Sequence, residues 1–504
     1  MNKYEWYKID TAAIMFASIQ GKNTSRVFRG SFVLKNEEVD GEILKKAVYD
    51  ILPRFPFFCV TYKAGCFWPY LEKTDILPVV KEDTQYPAAV MWHGKNGGPE
   101  FRVLYYKRRI SVEIAHMLTD GSGSSALMKA ILERYFILKG DITEADLNEE
   151  KEIPFGELSE NAYKKNYNGE KPAPSVKREV ETHKLPMNPI ENYLKIIFGI
   201  FPASQIKEKC KKYGTTVTEY LAAAEILAII RKEKAPISKA IRISVPVNLR
   251  NFLPSETLRN FAGDTCLSFY PEGKEDYTFE DVISEIKGTI KKRISKEYAQ
   301  NFVNSTYSQT VNPVTRFVPY FIKHKVVNAS QKKDHSDSMT MILTNMGVTN
   351  LPKILADKIE RVESIPGNVT DYGLSITSSP ITHNGFINIS FSINNFDTSL
   401  CKEFFRILSE DGVDVRVEST DGNGFDRDSR SEEGKRCPHC NVDLGEEYTV
   451  CPLCNEKAVN EKKKIEGFRT AEYTDCFEIP DFSQPIVKNK QPITKENLKA
   501  YFNI

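Results

Sequence analysis

The sequence has no uninterrupted apolar stretch near the roughly 18 residues that a membrane-spanning helix requires. The longest candidate runs from residue 220 to 230, and Glu225 interrupts it. The N-terminus is also unlike a secretory signal, because Glu5 and Asp10 precede a short apolar stretch and no small-residue cleavage site follows. We therefore expect no transmembrane segment and a cytoplasmic location.

The sequence also has no excess of charge of either sign. Its 69 Lys and Arg residues balance 68 Asp and Glu residues, which leaves a net charge of +1. Proteins that bind nucleic acid usually carry a basic excess on one face, so a dedicated DNA-binding or RNA-binding function is disfavoured. Neither a P-loop nor a glycine-rich dinucleotide fingerprint follows any predicted strand, which argues against nucleotide-driven and dinucleotide redox chemistry.

What the sequence does contain is typical of a globular α/β protein. It has 504 residues, 41% of them hydrophobic and 27% charged, which allows about three domains. Apolar residues at helical spacing predict a helix over residues 43–52, which Pro53 ends. Strict alternation predicts a strand over 387–393, and similar alternation predicts strands over 110–114 and 241–245. A further helix over 217–231 begins with a capping-box pattern and is apolar on nearly all sides, which predicts that it is buried.

Composition divides the chain into segments. The polar stretch from 140 to 184 resembles a crossover linker between two lobes, and nine of the seventeen residues from 420 to 436 are charged. The second stretch cannot bury enough apolar surface to offset its ordering entropy, which predicts a flexible tether. The predicted organisation is an N-terminal lobe over residues 1–170, a C-terminal lobe over 171–418, a flexible linker over 419–436, a small cysteine-rich unit over 437–457 and a mostly irregular tail over 458–504.

Four of the ten cysteines form two matched CxxC turns, Cys437 with Cys440 and Cys451 with Cys454. Two such turns supply the four thiolates of a tetrahedral site, so the spacing predicts one structural zinc ion in a zinc ribbon. Iron in a rubredoxin-like site and redox activity of the CxxC pairs are the alternatives. A site with four cysteine ligands has no open coordination position, and we assign it no catalysis.

Among seven histidines, only His116 has neighbours that suggest chemistry. A predicted strand runs into it, Asp120 and Gly121 form a turn after it, and a helix follows with Ser122 and Ser124 as candidate N-caps. This arrangement places an imidazole at the end of a strand, where a cleft can reach it. A lone histidine also packs readily in a core, so the local pattern leaves a structural and a functional interpretation open.

The spacing His116-x-x-x-Asp120-Gly121 matches the HxxxDG signature of an acyltransferase superfamily. The chain resembles the alcohol acetyltransferase and condensation-domain branch of the chloramphenicol acetyltransferase-like superfamily. The resemblance extends over about residues 1–415. Its supporting segments, in the expected order, are residues 52–58, 67–71, 216–223, 245–250, 260–263 and 344–352.

The resemblance implies a two-lobed α/β pseudo-dimer with a tunnel between the lobes, in which a donor thioester and an acceptor meet. His116 would be the general base, and Asp120 would be structural and pair with an arginine, for which Arg250 is the first candidate and Arg259 the second. From the sequence itself, Asn345 marks a turn before a strand that crosses between lobes, and it is a weak candidate for lining the pocket.

The chain also departs from parts of the family pattern. Ala115 stands where condensation domains usually carry a first histidine, and no carrier-protein or adenylation domain is recognisable in the chain. Both features favour a free-standing acyltransferase that uses a soluble thioester. The DFGWG-like segment of the acetyltransferases has only a faint echo at Asp371-Tyr-Gly373, which leaves the second wall of the active site and the donor unassigned.

The leading hypothesis is therefore transfer of an acyl group from acyl-CoA to a hydroxyl acceptor, or less favourably an amine, with His116 as base. One alternative takes the acyl group from an acyl carrier protein, in the manner of condensation domains. The other is a catalytically silent scaffold whose zinc ribbon recruits a protein partner.

Overall fold

The computed structural model describes most of residues 6–419. Within that range it does not describe residues 19–25, 85, 92–97, 148–152, 174–180, 188–193, 234–235, 275, 371–372 and 395–396. Beyond residue 419 it describes three two-residue strands, at 435–436, 443–444 and 459–460.

Helices in the described residues range from one turn to five turns. They are, in chain order, α1 (Thr11–Ser18), α2 (Gly41–Ile51), α3 (Gly121–Lys139), α4 (Phe155–Leu158), α5 (Ala162–Asn166), α6 (Ala203–Tyr213), α7 (Val217–Lys232), α8 (Phe279–Ile286), α9 (Thr289–Arg293), α10 (Lys296–Val311), α11 (Pro313–Phe317), α12 (Tyr320–Ser338), α13 (Lys353–Ala356) and α14 (Ser399–Glu410). None of these helices is long and apolar enough to cross a bilayer.

The strands in the described residues fall into three sheets. They are β1 (Trp6–Lys8), β2 (Val27–Leu34), β3 (Val60–Lys63), β4 (Tyr70–Lys73), β5 (Val79–Glu82), β6 (Phe101–Tyr106), β7 (Arg109–Ala115), β8 (Lys195–Pro202), β9 (Ile241–Asn248), β10 (Ala262–Phe269), β11 (Met341–Leu343), β12 (Ile359–Ile365), β13 (Ile376–His383), β14 (Phe386–Ile393), β15 (Arg416–Ser419), β16 (Lys435–Arg436), β17 (Asp443–Leu444) and β18 (Val459–Asn460).

Two of the sheets form the centres of two α/β lobes. The first sheet has the strand order β12-β2-β7-β6-β5, and the second has the order β10-β9-β11-β13-β14-β8-β15-β17-β16-β18. A small third sheet has the order β1-β4-β3. Helices α2 and α3 pack on each other beside the first sheet, and α7 and α14 do so beside the second. This two-lobed α/β architecture confirms the fold class predicted from the sequence.

The strongest periodic patterns lie where they were predicted. Alternation over 387–393 corresponds to β14. The helix predicted over 43–52 is α2, and the 3₁₀ turn that directly follows it contains Pro53. The capping box of α7 is complete, because Thr216 and Glu219 each accept a hydrogen bond from the other's backbone N–H. Most of α7 is buried in the core of the second lobe, as its apolar composition predicted.

One strand joins the lobes in a way that chain order does not indicate. Strand β12 comes late in the chain, within the range predicted as the C-terminal lobe, yet it pairs antiparallel with β2 in the first sheet. Its buried Glu363 binds Arg109 of β7, and its Arg361 binds Glu418 of β15 at 2.8 Å in the second sheet. Strand β12 is therefore an edge strand of one lobe that is ion-paired to the other.

The segments beyond β15 are described only in part. Of the linker predicted over 419–436, Ser419 belongs to β15 and the last two residues form β16, while 420–434 lie outside the described residues. Strand β17 pairs in parallel with β15, and β16 pairs with β17 and β18. The short strands thus extend the edge of the second sheet. The domain boundaries themselves stay predictions.

A buried carboxyl group lies in the core of the second lobe. Glu225 on α7 is fully buried, and its Oε1 accepts a hydrogen bond from the Ser378 hydroxyl at 2.5 Å. Among the described residues, no group donates to its Oε2. Burial raises the pKa of Glu225 to about 8, and the bond from Ser378 offsets only part of this effect.

Replacement of Glu225 by Gln should flatten the pH dependence of stability. The folded chain keeps this proton up to about pH 8, whereas an exposed Glu releases it near 4.5, so stability falls as the pH rises between these values. The slope is about 1.4 kcal/mol per pH unit. Urea unfolding between about pH 5 and pH 7.5 should show the advantage of Glu225→Gln over the parent growing at this slope. Glu208→Gln, at an exposed position on α6, is the control; a constant difference for Glu225→Gln would contradict the prediction.

Candidate active site

His116 lies immediately after β7, where the first sheet meets the second lobe. Its backbone N–H donates to the carbonyl of Arg26 at 2.7 Å, which continues the β2–β7 ladder by one residue beyond Ala115. Its carbonyl accepts a hydrogen bond from Asn260 Nδ2 at 2.9 Å. Asn260 belongs to the loop between β9 and β10, so both lobes fix the backbone of this histidine.

Two aromatic rings hold the imidazole of His116. The ring of Phe16, on α1, stacks on it with centroids 3.9 Å apart and an interplanar angle of 15°. The ring of Phe28, on β2, meets it edge-on at 5.0 Å. The guanidinium group of Arg26 lies 5.4 Å from the centroid of Phe16. These contacts restrict the ring orientation without a hydrogen bond to a carboxylate.

The surroundings of His116 favour a neutral imidazole. Burial lowers the pKa of His116 below its usual 6.5, and the positive charge of Arg26 adds to this effect. Contributions that raise the pKa, from its own carbonyl, Asp120 and Asn260, do not compensate. Nδ1 is buried, and no described group forms a hydrogen bond with it. A neutral imidazole at neutral pH can accept a proton, which is what a general base needs.

The Asp120 carboxylate accepts all of its described hydrogen bonds from other groups of the protein. Its Oδ1 accepts from the backbone N–H groups of Ser122 and Gly123, which makes it the N-cap of α3. Its Oδ2 accepts from Arg250 Nη1 at 2.7 Å and from the Phe261 N–H at 2.8 Å. The sequence had suggested Ser122 or Ser124 as the cap, and this was wrong because the preceding carboxylate satisfies the free N–H groups first.

Arg250 connects this turn to the second lobe. It follows β9, and besides Asp120 it donates to the carbonyls of Thr257 and Arg259. Arg259, the second candidate partner of Asp120, instead forms an ion pair with the buried Asp10 at 3.4 Å. The first candidate is therefore the one that the structure brings to Asp120.

The glycines of this turn allow the lobes to approach closely. A Cβ atom on Gly123 would lie 2.0 Å from the carbonyl oxygen of Leu258, so any larger residue would push the loop between β9 and β10 away. A Cβ on Gly121 would lie 2.6 Å from the methyl group of Met346, a flexible side chain that can yield. The absence of a side chain at Gly121 leaves space for Met346, and the position of Gly121 does not indicate a catalytic role.

Asn345, the weak pocket-lining candidate, lies in the same region and supports the backbone. Its Nδ2 donates to the Thr218 hydroxyl at 2.9 Å, at the start of α7, and its Oδ1 accepts from the Gly347 N–H at 2.8 Å. Gly347 has φ of 73°, which fits the turn predicted there. The faint DFGWG echo cannot be placed, because residues 371–372 lie outside the described residues.

Four residues around His116 were not assigned to the site from the sequence: Phe16, Arg26, Phe28 and Asn260. Asn260 is 144 positions from the histidine, and it carries a buried Oδ1 that no described group binds. No local pattern indicates such a partner. Only its place in a segment shared with the resembled family, residues 260–263, pointed to this loop.

The four cysteines predicted to bind zinc lie outside the described residues. Within the described part of the chain, no cluster of His, Cys, Asp or Glu could hold a metal ion. The zinc ribbon therefore stays a prediction.

Comparison with known proteins gives matches at the level of structure. No family model matches the chain, and no curated protein matches it. The chain is similar to polyketide synthase associated protein 5 from Mycobacterium tuberculosis, with 15% identity, 81% of this chain and 97% of that chain covered, and a TM-score of 0.54. It is also similar to F. graminearum TRI101 complexed with coenzyme A and T-2 mycotoxin, with 10% identity, the same coverage and a TM-score of 0.53.

A third similar structure is a mutant starter condensation domain of the rhizomide synthetase RzmA, complexed with C8-CoA and Leu-SNAC. The identity is 8%, 81% of this chain and 94% of that chain are covered, and the TM-score is 0.52. At such low identities these likenesses establish the fold. The chain shares the two-lobed fold of these structures, a condensation domain among them, which confirms the fold implied by the HxxxDG resemblance.

Proposed function

We propose that this protein is an acyltransferase that moves an acyl group from a CoA thioester to a hydroxyl acceptor, with His116 as the general base. The observation that carries the proposal is the state of this imidazole. It is held by two aromatic rings, kept neutral by burial and fixed at the junction of two lobes. A structural histidine gains nothing from being held without a hydrogen-bond partner for Nδ1.

The chemistry follows from what a neutral imidazole can do. The acceptor oxygen attacks the thioester carbonyl carbon while His116 takes the hydroxyl proton, so that a carbon–oxygen bond forms as the oxygen–hydrogen bond breaks. Collapse of the tetrahedral intermediate breaks the carbon–sulfur bond. The imidazolium then returns the proton to the departing thiolate, and the products are an ester and free CoA.

Asp120 and Arg250 have a different role in this proposal. Their ion pair connects the turn after His116 to the second lobe. Four protein groups donate hydrogen bonds to the two oxygens of the Asp120 carboxylate. They position the backbone that carries the base, and we assign them no contact with either substrate.

CoA is the proposed donor because two of the similar structures are complexes with coenzyme A or C8-CoA. Release of free thiol should be measured with short-chain acyl-CoA thioesters and a panel of alcohols. We expect thiol release that depends on both substrates. Activity only with an acyl carrier protein as donor would favour the condensation-type alternative, and no acyl transfer with either donor would favour the scaffold.

We further propose one structural zinc ion bound by Cys437, Cys440, Cys451 and Cys454. The support is the matched CxxC spacing together with the short strands around it. Strand β16 directly precedes the first CxxC turn and β17 follows it, and the two strands pair antiparallel. A hairpin of this kind is where a zinc ribbon carries a CxxC turn.

Replacement of Cys437 or Cys454 by Ser should remove the metal. Elemental analysis of the purified parent is expected to find about one zinc per chain, because four thiolates bind one tetrahedral ion. Cys66→Ser, at an exposed cysteine of the first lobe, should keep it. The far-ultraviolet spectrum should change little in every variant, since the described core residues of both lobes all precede residue 420. Two disulfides and no metal in protein prepared without oxidation would contradict the prediction.

A further inference from the structure

Helices α11 and α12 expose large apolar side chains next to one another. Phe317 is 76% exposed, Phe321 66% and Val326 62%, and Ile322 is also exposed. Phe67, in the turn between β3 and β4 that contacts α12, is exposed as well. We call the surface formed by these five residues the α12 patch. Exposed aromatic residues so close together are unusual on a soluble protein surface.

The orientation of α12 is fixed by its polar side, not by its apolar side. The Tyr320 N–H donates to the carbonyl of Cys66 at 2.8 Å, and the Tyr320 hydroxyl is 2.9 Å from that of Tyr62. Lys323 donates to the carbonyl of Phe67 at 2.8 Å, and its ammonium group lies 3.4 Å from the centroid of Trp68. Both inward residues are buried, so the helix cannot rotate to bury its apolar face without losing these contacts.

Helical geometry then places the apolar residues on one outward face. Positions 321, 322, 325 and 326 share a face because of the period of 3.6 residues, and all four are exposed. Three of them are Phe321, Ile322 and Val326, and the fourth is Lys325. Over residues 320–327, this helix turns its apolar side toward solvent, which is the reverse of an ordinary surface helix.

The chain segment that carries most of the α12 patch has charge of one sign. From residue 311 to 327 the chain has no Asp or Glu, and Arg316 and Lys325 are both exposed. Each of these cations is adjacent in sequence to a member of the patch, Phe317 and Val326. Exposed apolar side chains next to exposed basic side chains are complementary to a surface in which an apolar layer lies beneath negatively charged groups.

We propose that the α12 patch docks on the surface of an anionic phospholipid bilayer. Phe317, Phe321 and their aliphatic neighbours enter the interface between headgroups and acyl chains, and Arg316 and Lys325 contact lipid phosphates. Helix α12 packs against α1, which carries the Phe16 ring stacked on His116. Docking therefore leaves two helices, α12 and α1, between the membrane and the proposed base, and the surface itself is independent of the reaction assigned to that base.

The test is co-sedimentation of the full chain with vesicles of phosphatidylcholine alone or mixed with phosphatidylglycerol. We expect binding to the mixed vesicles to be stronger by about 30-fold, from two cations near the surface, and to weaken with added salt. Phe317→Ser/Phe321→Ser should lower binding to the mixed vesicles at least about tenfold, because two aromatic rings leave the interface. Arg316→Glu/Lys325→Glu should remove the preference for phosphatidylglycerol.

Two controls match these variants. Val348→Ser changes an apolar residue that is 72% exposed at another site, and Lys45→Glu/Lys46→Glu reverses two exposed charges on α2. Neither should alter vesicle binding, and thermal melting should show that every variant stays folded. Absence of binding, or equal binding by the parent and the Phe variant, overturns the proposal. A parent dimer in light scattering that Phe317→Ser/Phe321→Ser makes monomeric, without vesicle binding, would assign the patch to a second copy instead.

Discussion

His116→Ala is expected to lower kcat by about 10²–10⁴-fold while the protein stays folded. The acceptor must lose its proton as it attacks, and a positioned base contributes about this factor. The fold should persist because the side chain contacts the rings of Phe16 and Phe28, and no described group forms a hydrogen bond with its Nδ1. Loss of turnover in stopped assays, with an unchanged unfolding transition, would be the expected pair of results.

The pH dependence of kcat/KM is a second test of the role proposed for His116. Since burial lowers the pKa of His116, the imidazole stays neutral below its usual 6.5, and the acid limb of kcat/KM should lie below that pH. His183→Ala is the matched control, because His183 pairs with Glu233 away from the site, at 3.3 Å. If His116→Ala keeps normal turnover and changes only the melting temperature, the proposed mechanism is wrong.

Asp120→Ala is expected to lower the free energy of unfolding by about 3–5 kcal/mol and to abolish most activity. The substitution leaves the Arg250 guanidinium, whose side chain is only 14% exposed, without its carboxylate, and removal of one partner from a largely buried ion pair costs about this much. It also removes the N-cap of α3 and the acceptor of the Phe261 N–H. The turn after His116 then loses its connection to the second lobe.

Asp40→Ala separates the two contributions of Asp120. Asp40 caps α2 by accepting from Glu42 and Ile43, and no arginine ion pair is described for it. Its removal should cost about 1 kcal/mol, the usual value of a cap. Chemical unfolding of both variants should therefore show a much larger loss for Asp120→Ala. Equal losses would mean that the Arg250 pair contributes nothing and that Asp120 is only a cap.

The sequence predicted the elements whose patterns repeat locally. Alternation marked β14, and Thr216 with Glu219 marked the start of α7, because these signals depend on neighbours in the chain. The HxxxDG spacing led to His116 and Asp120, and through the resemblance to the Asp120–Arg250 contact across 130 residues. Each of these features can be recognised from the spacing of residues in the sequence.

Contacts between segments that are distant in the chain could not be recognised in this way. Phe16 reaches the imidazole of His116 from α1, and Asn260 reaches the backbone carbonyl of His116 from a loop of the other lobe, so neither belongs to a local motif. The placement of β12 is of the same kind. Its apolar residues, at 359, 362 and 365, do not alternate with polar ones, and its place is given by its pairing with β2 and the buried ion pair between Arg109 and Glu363.

The position of β12 also sets an order of events during synthesis. Strand β7 ends at residue 115, whereas β12 ends at residue 365, so the first sheet waits 250 residues for its last strand. At ribosomal speeds of about 5–20 residues per second, that delay is about 12–50 s. Throughout it, β2 has an unpaired edge and Arg109 lacks Glu363. The nascent N-terminal half is thus open to strand addition by other chains, and its release as a fragment would yield a species prone to aggregate.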